Sequence, residues 1–453
     1  MLPASAFAAL ELPSDTVKIL TTPKPPPKEE ASPNLMQAGS AEAASPAVNE
    51  TSIMLYAELL LHIRTVTFLA SLRTFHTHET KARLSSDGNE ITIEHEGESA
   101  TIRLPIKVKA GEGGDAALSL PAKPPSKELT LRLQMEEKDD SDLFQDLLAE
   151  ERKANFVPWD GASLGSLSKP VVACKECGTT IVESARLSEW RDLPNENWAE
   201  MMDFWHCHKP DEHHLHEHTH EDATGSKGYA AGNRLKARGG IGFVDLGSFL
   251  LTQGDCANIQ LTFLQPSPHL DSLSCKTCSH PLGAKDSTAE GWRIWKWSIA
   301  VVTSLPSLGS SLSPPTTYST QKWISARLLS LIENTGLRKF HIHVQYPAPK
   351  SSPIPSLLLW VFTPDLLFSS SKCSGSRKDP TRAMKVFYKE QTYTTPQSGD
   401  PESALIEDVE IEDEVFEELG KTLAESKGVL PEGARRFQEW DVGLLERFSP
   451  PLG

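Results

Sequence analysis

Apolar and polar positions alternate along several stretches of this chain. Ile91-Thr92-Ile93, Ile102-Arg103-Leu104 and Leu129-Thr130-Leu131-Arg132-Leu133 each repeat at period two, the signature of strands buried on one face. Asp87-Gly88-Asn89 supplies a turn before the first of them. Leu55–Phe68 is apolar and β-branched enough for strands. Further strands are predicted at Val171–Ala173, Ile259–Leu264, Trp292–Val302, Phe340–Val344, Leu357–Phe362, Ala383–Tyr388 and Trp440–Leu444.

Helical spacing is scarcer. Ile324, Leu328 and Leu331 share a face of a helix predicted from Tyr318 to Asn334, and Gly336 stands where a C-cap belongs. A second helix is predicted near Leu143–Lys153. Leu405, Val409, Phe416, Leu419 and Leu423 recur at helical spacing, and the acidic run from Glu407 to Glu418 reads as the solvated side of that helix. The fold class is therefore α+β, mostly antiparallel strands with a few helices. The expected organisation is a β-rich region over 51–156, a metal-bearing region over 157–300 and a C-terminal α+β region over 301–453.

Residues 1–50 are rich in Pro, Ala, Ser and Glu and include Pro23-Lys24-Pro25-Pro26-Pro27. Such a composition buries too little apolar surface to fold, so a disordered tail is expected. This segment lacks the basic start and apolar core of a signal peptide, and no apolar run reaches membrane-spanning length. A net charge of −16 argues against direct nucleic-acid binding. Proteins are the expected partners, with no membrane role, and cytoplasm and nucleus are the expected locations.

The chemistry-bearing residues change this picture most. Cys174–Cys177 and Cys275–Cys278 are two Cys-x-x-Cys pairs separated by 97 residues. Each such turn aims two thiolates at one point, and two turns complete a tetrahedral four-cysteine site. One structural zinc on these four ligands would staple distant parts of the central region. Redox pairs or unrelated thiols are the other readings of this spacing. Of the remaining cysteines, Cys256 precedes an apolar strand and should pack, whereas Cys373 lies in a Ser/Gly/Lys loop.

Trp198, Met201, Met202 and Trp205 recur at helical spacing, which is ordinarily core packing, and Cys207 and His208 follow at the end of that helix. Cysteine beside histidine can ligate a metal or act as a nucleophile. Seven of the 15 histidines fall between His206 and His220; this tract reads as a polar loop, or as a loose metal binder. Gly239-Gly240-Ile241-Gly242 lacks the ending of a phosphate loop and reads as a turn. Trp292, Trp295 and Trp297 crowd one short stretch, and tryptophan is enriched at interface hot spots. Trp198, Trp205, Trp292 and Trp295 are therefore the partner-binding candidates.

In order, Cys174-x-x-Cys177-Gly178, Leu193-Pro194-x-Glu196-Asn197-Trp198, Trp205-x-Cys207-His208, Cys275-x-x-Cys278 with Leu282-Gly283, Lys385-Val386-x-Tyr388 and Leu430-Pro431 … Arg435-Arg436 resemble the HECT-like ubiquitin ligases that bind a ubiquitin-conjugating enzyme. The proline-rich start and histidine-rich insertion resemble a fungal-type member. The resemblance runs from about residue 55 to the C-terminus. It implies a ubiquitin-protein transferase, or a ligase adaptor, with ubiquitin and a conjugating enzyme as partners and Leu273–Trp297 as the enzyme-contacting segment. It also implies an alternative of another class, a chaperone-like regulator of the metallo-β-lactamase endonuclease of mRNA 3′-end cleavage and polyadenylation. In that case Cys207 and His208 are directed at the partner's metal. A HECT domain carries a thioester cysteine near its C-terminus, whereas the last 80 residues here, from Ser374 on, contain no cysteine. The catalytic residue is not identified by the sequence.

Overall fold

Of the period-two segments, Leu129–Leu133 joins a large sheet that draws strands from most of the chain, whereas those around Ile91 and Ile102 pair with each other in a smaller one. The structure, a computed structural model, describes residues 51–60, 65–109, 116–118, 120, 124–135, 156–193, 235–263, 271–303, 313–344, 354–372, 379–393 and 405–449. These all belong to one unit, Thr51–Gly453. The expectations for the N-terminal tail, the helix near 143–153, the helix preceding Cys207, the histidine tract and Cys373 lie outside the described residues.

The large sheet has nine strands. Its main path runs Arg436–Phe437, Trp440–Glu446, Thr381–Thr392, Pro355–Ser370, Met54–Leu60, Thr65–Ser71 and Glu128–Gln134, antiparallel throughout. Lys339–Val344 joins the start of Pro355–Ser370, and Glu407–Ile411 adds to it in parallel. Met54–Leu60 thus lies beside Pro355–Ser370, a strand from the last third of the chain.

Side chains alternate across this sheet. Along Pro355–Ser370, Leu357, Leu359 and Val361 face one side. That side is covered by two helices, α2 (Thr320–Thr335) and α3 (Asp413–Ser426); the shorter α1 (Gly161–Ser166) precedes them in the chain. Ile324 and Leu328 of α2 and Val415, Leu419 and Leu423 of α3 pack there. A Cβ at Gly443 would stand 2.8 Å from a Leu423 methyl, so the absent side chain lets α3 approach. Farther along the sheet, a four-stranded sheet built from Lys81–Leu84, Glu90–His95, Glu98–Arg103 and Ala116–Leu118 packs on Leu55, Ala57, Val66 and Phe68.

A third core holds the cysteines. A seven-stranded sheet and a three-stranded sheet meet around Phe249, Leu273, Trp292 and Ile299. Trp323 of α2 enters this core while Ile324 and Leu328 face the large sheet, so one helix serves two cores. The α2 C-cap is as the sequence predicts: Gly336 is left-handed at φ 74° and its N–H returns to the Ile332 carbonyl.

Two expectations are corrected. The single strand over Trp292–Val302 is two strands, Gly291–Trp295 and Ile299–Val302, in different sheets, separated by a tight turn at Lys296–Ser298. The turn lets Lys296 point into the core, where it is 1% exposed. Val409 lies on a strand and not on a helix, because Val409 and Ile411 alternate inward at period two and helix α3 begins only after Glu412. The acidic run is therefore split between a strand and a helix.

Candidate metal centre

Each Cys-x-x-Cys pair starts at the end of a strand. Val171–Cys174 pairs with Ile299–Val302, and Asp271–Cys275 pairs with Ile259–Phe263. Strand pairing fixes the first cysteine of each turn, and both are fully buried. The chain then reverses in the same way twice. Gly178 donates its N–H to the Cys174 carbonyl and Ser279 donates to the Cys275 carbonyl, both at 2.9 Å. Cys174 and Cys275 donate onward to the Thr179 and His280 carbonyls. The second cysteine of each pair, Cys177 and Cys278, is exposed.

Both turns need a left-handed residue straight after the second cysteine. Gly178 meets this with φ 72°, and Ser279 meets it with φ 61°. The glycine that follows the second pair in sequence, Gly283, does something else: a Cβ there would stand 1.9 Å from the Arg293 carbonyl oxygen. It lets two strands approach closely.

The two turns face each other. Cys174 Sγ is 3.7 Å from Cys278 Sγ, and Cys177 Sγ is 3.6 Å from Cys275 Sγ. All four sulfurs lie within 4.8 Å of one another. A tetrahedral ion with metal–sulfur bonds of about 2.3 Å needs sulfurs about 3.8 Å apart, so the four fit one metal ion. The Thr179 hydroxyl donates to the Thr277 hydroxyl at 3.0 Å and ties the turns together beside the sulfurs. Burial pushes the Cys174 thiol up to about 12, whereas hydrogen bonds at Thr179 bring Cys177 down to about 6. Cys256 stands apart from the cluster and packs against the core, and burial raises it to about 12.

Other motif residues fall elsewhere. Trp292 is a core residue, 6% exposed. Trp295 is half-buried and stacks on Trp297 with ring centroids 5.5 Å apart. Lys385 pairs with Glu58, which also accepts from the Tyr56 hydroxyl at 2.8 Å. Arg435 donates to the Leu430 carbonyl at 2.9 Å and closes the turn over the end of the large sheet. Trp198, Trp205, Cys207 and His208 lie outside the described residues. The pairing of Thr179 with Thr277 and the left-handed Ser279 have no signal in one sequence beyond their position beside the cysteines.

Comparison with known proteins places these features. No solved structure matches the chain. An uncharacterized protein of Saccharomyces cerevisiae is 22% identical over 284 residues, covering 63% of this chain and 71% of the relative. An uncharacterized protein of Schizosaccharomyces pombe is 25% identical over 316 residues, covering 65% of this chain and 79% of the relative. The model of a HECT-like ubiquitin-conjugating enzyme (E2)-binding family matches residues 58–442, from the Glu58 that holds Lys385 to the last strand of the large sheet. The chain belongs to this HECT-like E2-binding family.

Proposed function

We propose that this protein binds a ubiquitin-conjugating enzyme through the metal-braced hairpins of Leu273–Trp297 and promotes discharge of that enzyme's ubiquitin thioester without carrying ubiquitin itself. Zinc is the ion proposed for the four-cysteine centre. Four thiolates suit zinc, and the geometry is that of a closed structural site with no open position for chemistry.

The observation that carries this reading is where the thiols are. Four of the seven cysteines are committed to one cluster, and Cys256 is packed with its thiol held protonated. A thioester needs an accessible thiolate, and the last 80 residues offer none. Cys207 and Cys373 remain as the places where a thioester would have to form.

The test uses a conjugating enzyme charged with ubiquitin, free lysine as acceptor and non-reducing gels. The expected result is faster discharge in the presence of this chain, no thiol-sensitive ubiquitin adduct on it, and full activity in Cys207→Ser and Cys373→Ser. A reducible adduct that disappears with either substitution would overturn the adaptor reading. In the same assay Trp295→Ala, at a half-buried position, is expected to weaken enzyme binding about tenfold, as hot-spot truncations do.

A further inference from the structure

A cavity of about 260 Å³ lies between α2 and the stretch that leads into α1. Val157, Leu193, Val244, Leu246 and Leu331 supply its apolar wall, and Arg327 and Asn334, exposed on α2, also line it. The buried Lys296 forms part of the same lining. Its amine donates to the Trp159 carbonyl, which stands between the cavity-lining Pro158 and Asp160. Among the described residues that carbonyl is the one acceptor the amine reaches.

Three carboxylates line this cavity with the amine: Asp160, Asp192 and Asp245. Each is held by a backbone N–H. Ser163 donates to Asp160 at 2.5 Å, Gly161 to Asp192 at 2.6 Å and Leu246 to Asp245 at 2.7 Å. The cavity therefore joins an amine shut away from bulk water to fixed groups that can move protons. Desolvation of this kind is what turns a lysine from a surface cation into a nucleophile.

We propose that Lys296 is a carbonyl-reactive amine and that the cavity admits small uncharged aldehydes, which Lys296 captures as an imine. The Lys296 lone pair forms a bond to the carbonyl carbon while the carbonyl π pair moves to oxygen. Two protons then leave the nitrogen and reach that oxygen through the neighbouring carboxylates, and the oxygen departs as water. A neutral imine is left, and no oxidant or reductant is consumed. Burial brings the pKa of Lys296 down to about 7. About half of it thus carries a free lone pair at neutral pH, against about one in 2,500 for an ordinary lysine. The lining also selects the substrate. Three acids against one further cation, Arg327, disfavour anionic carbonyl compounds, and the apolar wall favours a short alkyl chain.

The test is labelling of the full chain by limiting propanal with borohydride trapping, followed by peptide mass spectrometry. Lys421, whose side chain is 75% exposed on α3, is the internal reference. At pH 7 Lys296 should be labelled about tenfold faster than Lys421 or more. At pH 9 that preference should narrow, because Lys421 gains free amine and Lys296 already has it. Glyoxylate, an anionic aldehyde, and oxidised dextran, too large for the cavity, should both lose the preference. Concentrated urea should abolish it by returning Lys296 to an ordinary amine. Labelling of Lys296 no faster than Lys421 at pH 7, or a preference that survives urea or is as strong with oxidised dextran, would overturn the proposal.

Discussion

The Lys296 ammonium donates to the carbonyl of Trp159 at 3.1 Å, joining residues 137 apart inside the core. The rings of Phe249 and Trp323 flank it at 5.3 and 5.4 Å. Burial brings its pKa from the ordinary 10.5 down to about 7, against the opposing pull of Asp245, Asp192 and Asp160. The site is tolerable because the amine retains a carbonyl partner and two ring faces.

Lys296 therefore gives the fold a pH dependence of known sign. Between about pH 7 and 10.5 the unfolded chain holds a proton that the folded chain has lost, so stability rises with pH across that window. Below pH 7 both states are protonated and the cost of burying the charge is fully present. Denaturant unfolding of the parent and of Lys296→Met at pH 7, 8 and 9 isolates the effect, since other groups cancel. The parent is expected to gain about 1 kcal/mol per pH unit relative to the variant. Parallel curves would show that Lys296 keeps an ordinary pKa.

A second buried charge cluster sits at the end of the large sheet. Asp365 accepts from Arg382 Nε at 2.7 Å and from Arg447 Nη1 at 2.9 Å. Arg382 and Arg447 side chains are only 10% and 5% exposed. Asp365→Ala removes the carboxylate that both buried guanidinium groups share and should cost about 3–5 kcal/mol. Urea unfolding measures it; a loss under about 1 kcal/mol would mean the cluster is solvated.

Glycine positions separate steric need from convenience. Gly283→Ala places a carbon 1.9 Å from a backbone carbonyl oxygen that no rotamer change can move. It should unfold the seven-stranded sheet or shift its register. Gly165→Ala meets nothing within 4 Å on helix α1 and should be neutral or stabilising by about 0.5–1 kcal/mol. Thermal melts of the two variants, side by side, decide it.

The left-handed Ser279 carries strain that its counterpart Gly178 does not. Ser279→Gly is expected to raise stability by about 0.5–1 kcal/mol, the reverse of the usual effect of adding glycine. An unchanged or lower midpoint would place compensating side-chain contacts at Ser279.

Much of this fold is legible in sequence for a physical reason. Strands such as Leu129–Leu133 are buried on one face, so their alternation is written directly in the residues, and α2 announces its end with Gly336. The four cysteines are equally plain, because few other roles ask for two such pairs. What stays hidden depends on partners far away in the chain. Val409 fits a helical repeat by spacing alone, and only its parallel pairing with Ile342 makes it a strand. Trp292–Val302 is continuously apolar because both halves are buried, but in two different sheets. Lys296 looks like a surface lysine until Trp159, Phe249 and Trp323 close around it.

The four-cysteine centre joins the turn after Val171–Cys174 to the turn after Asp271–Cys275. Binding energy at a closed thiolate site is folding energy. The most direct measurement is elemental analysis of the purified full chain by mass spectrometry, alongside its thermal melt before and after chelation. One zinc per chain is expected, with loss of that zinc in Cys275→Ser and a cooperative melt that collapses in the variant or the chelated protein. A chain that contains no metal, or that melts at the same temperature once the metal is removed, would contradict it.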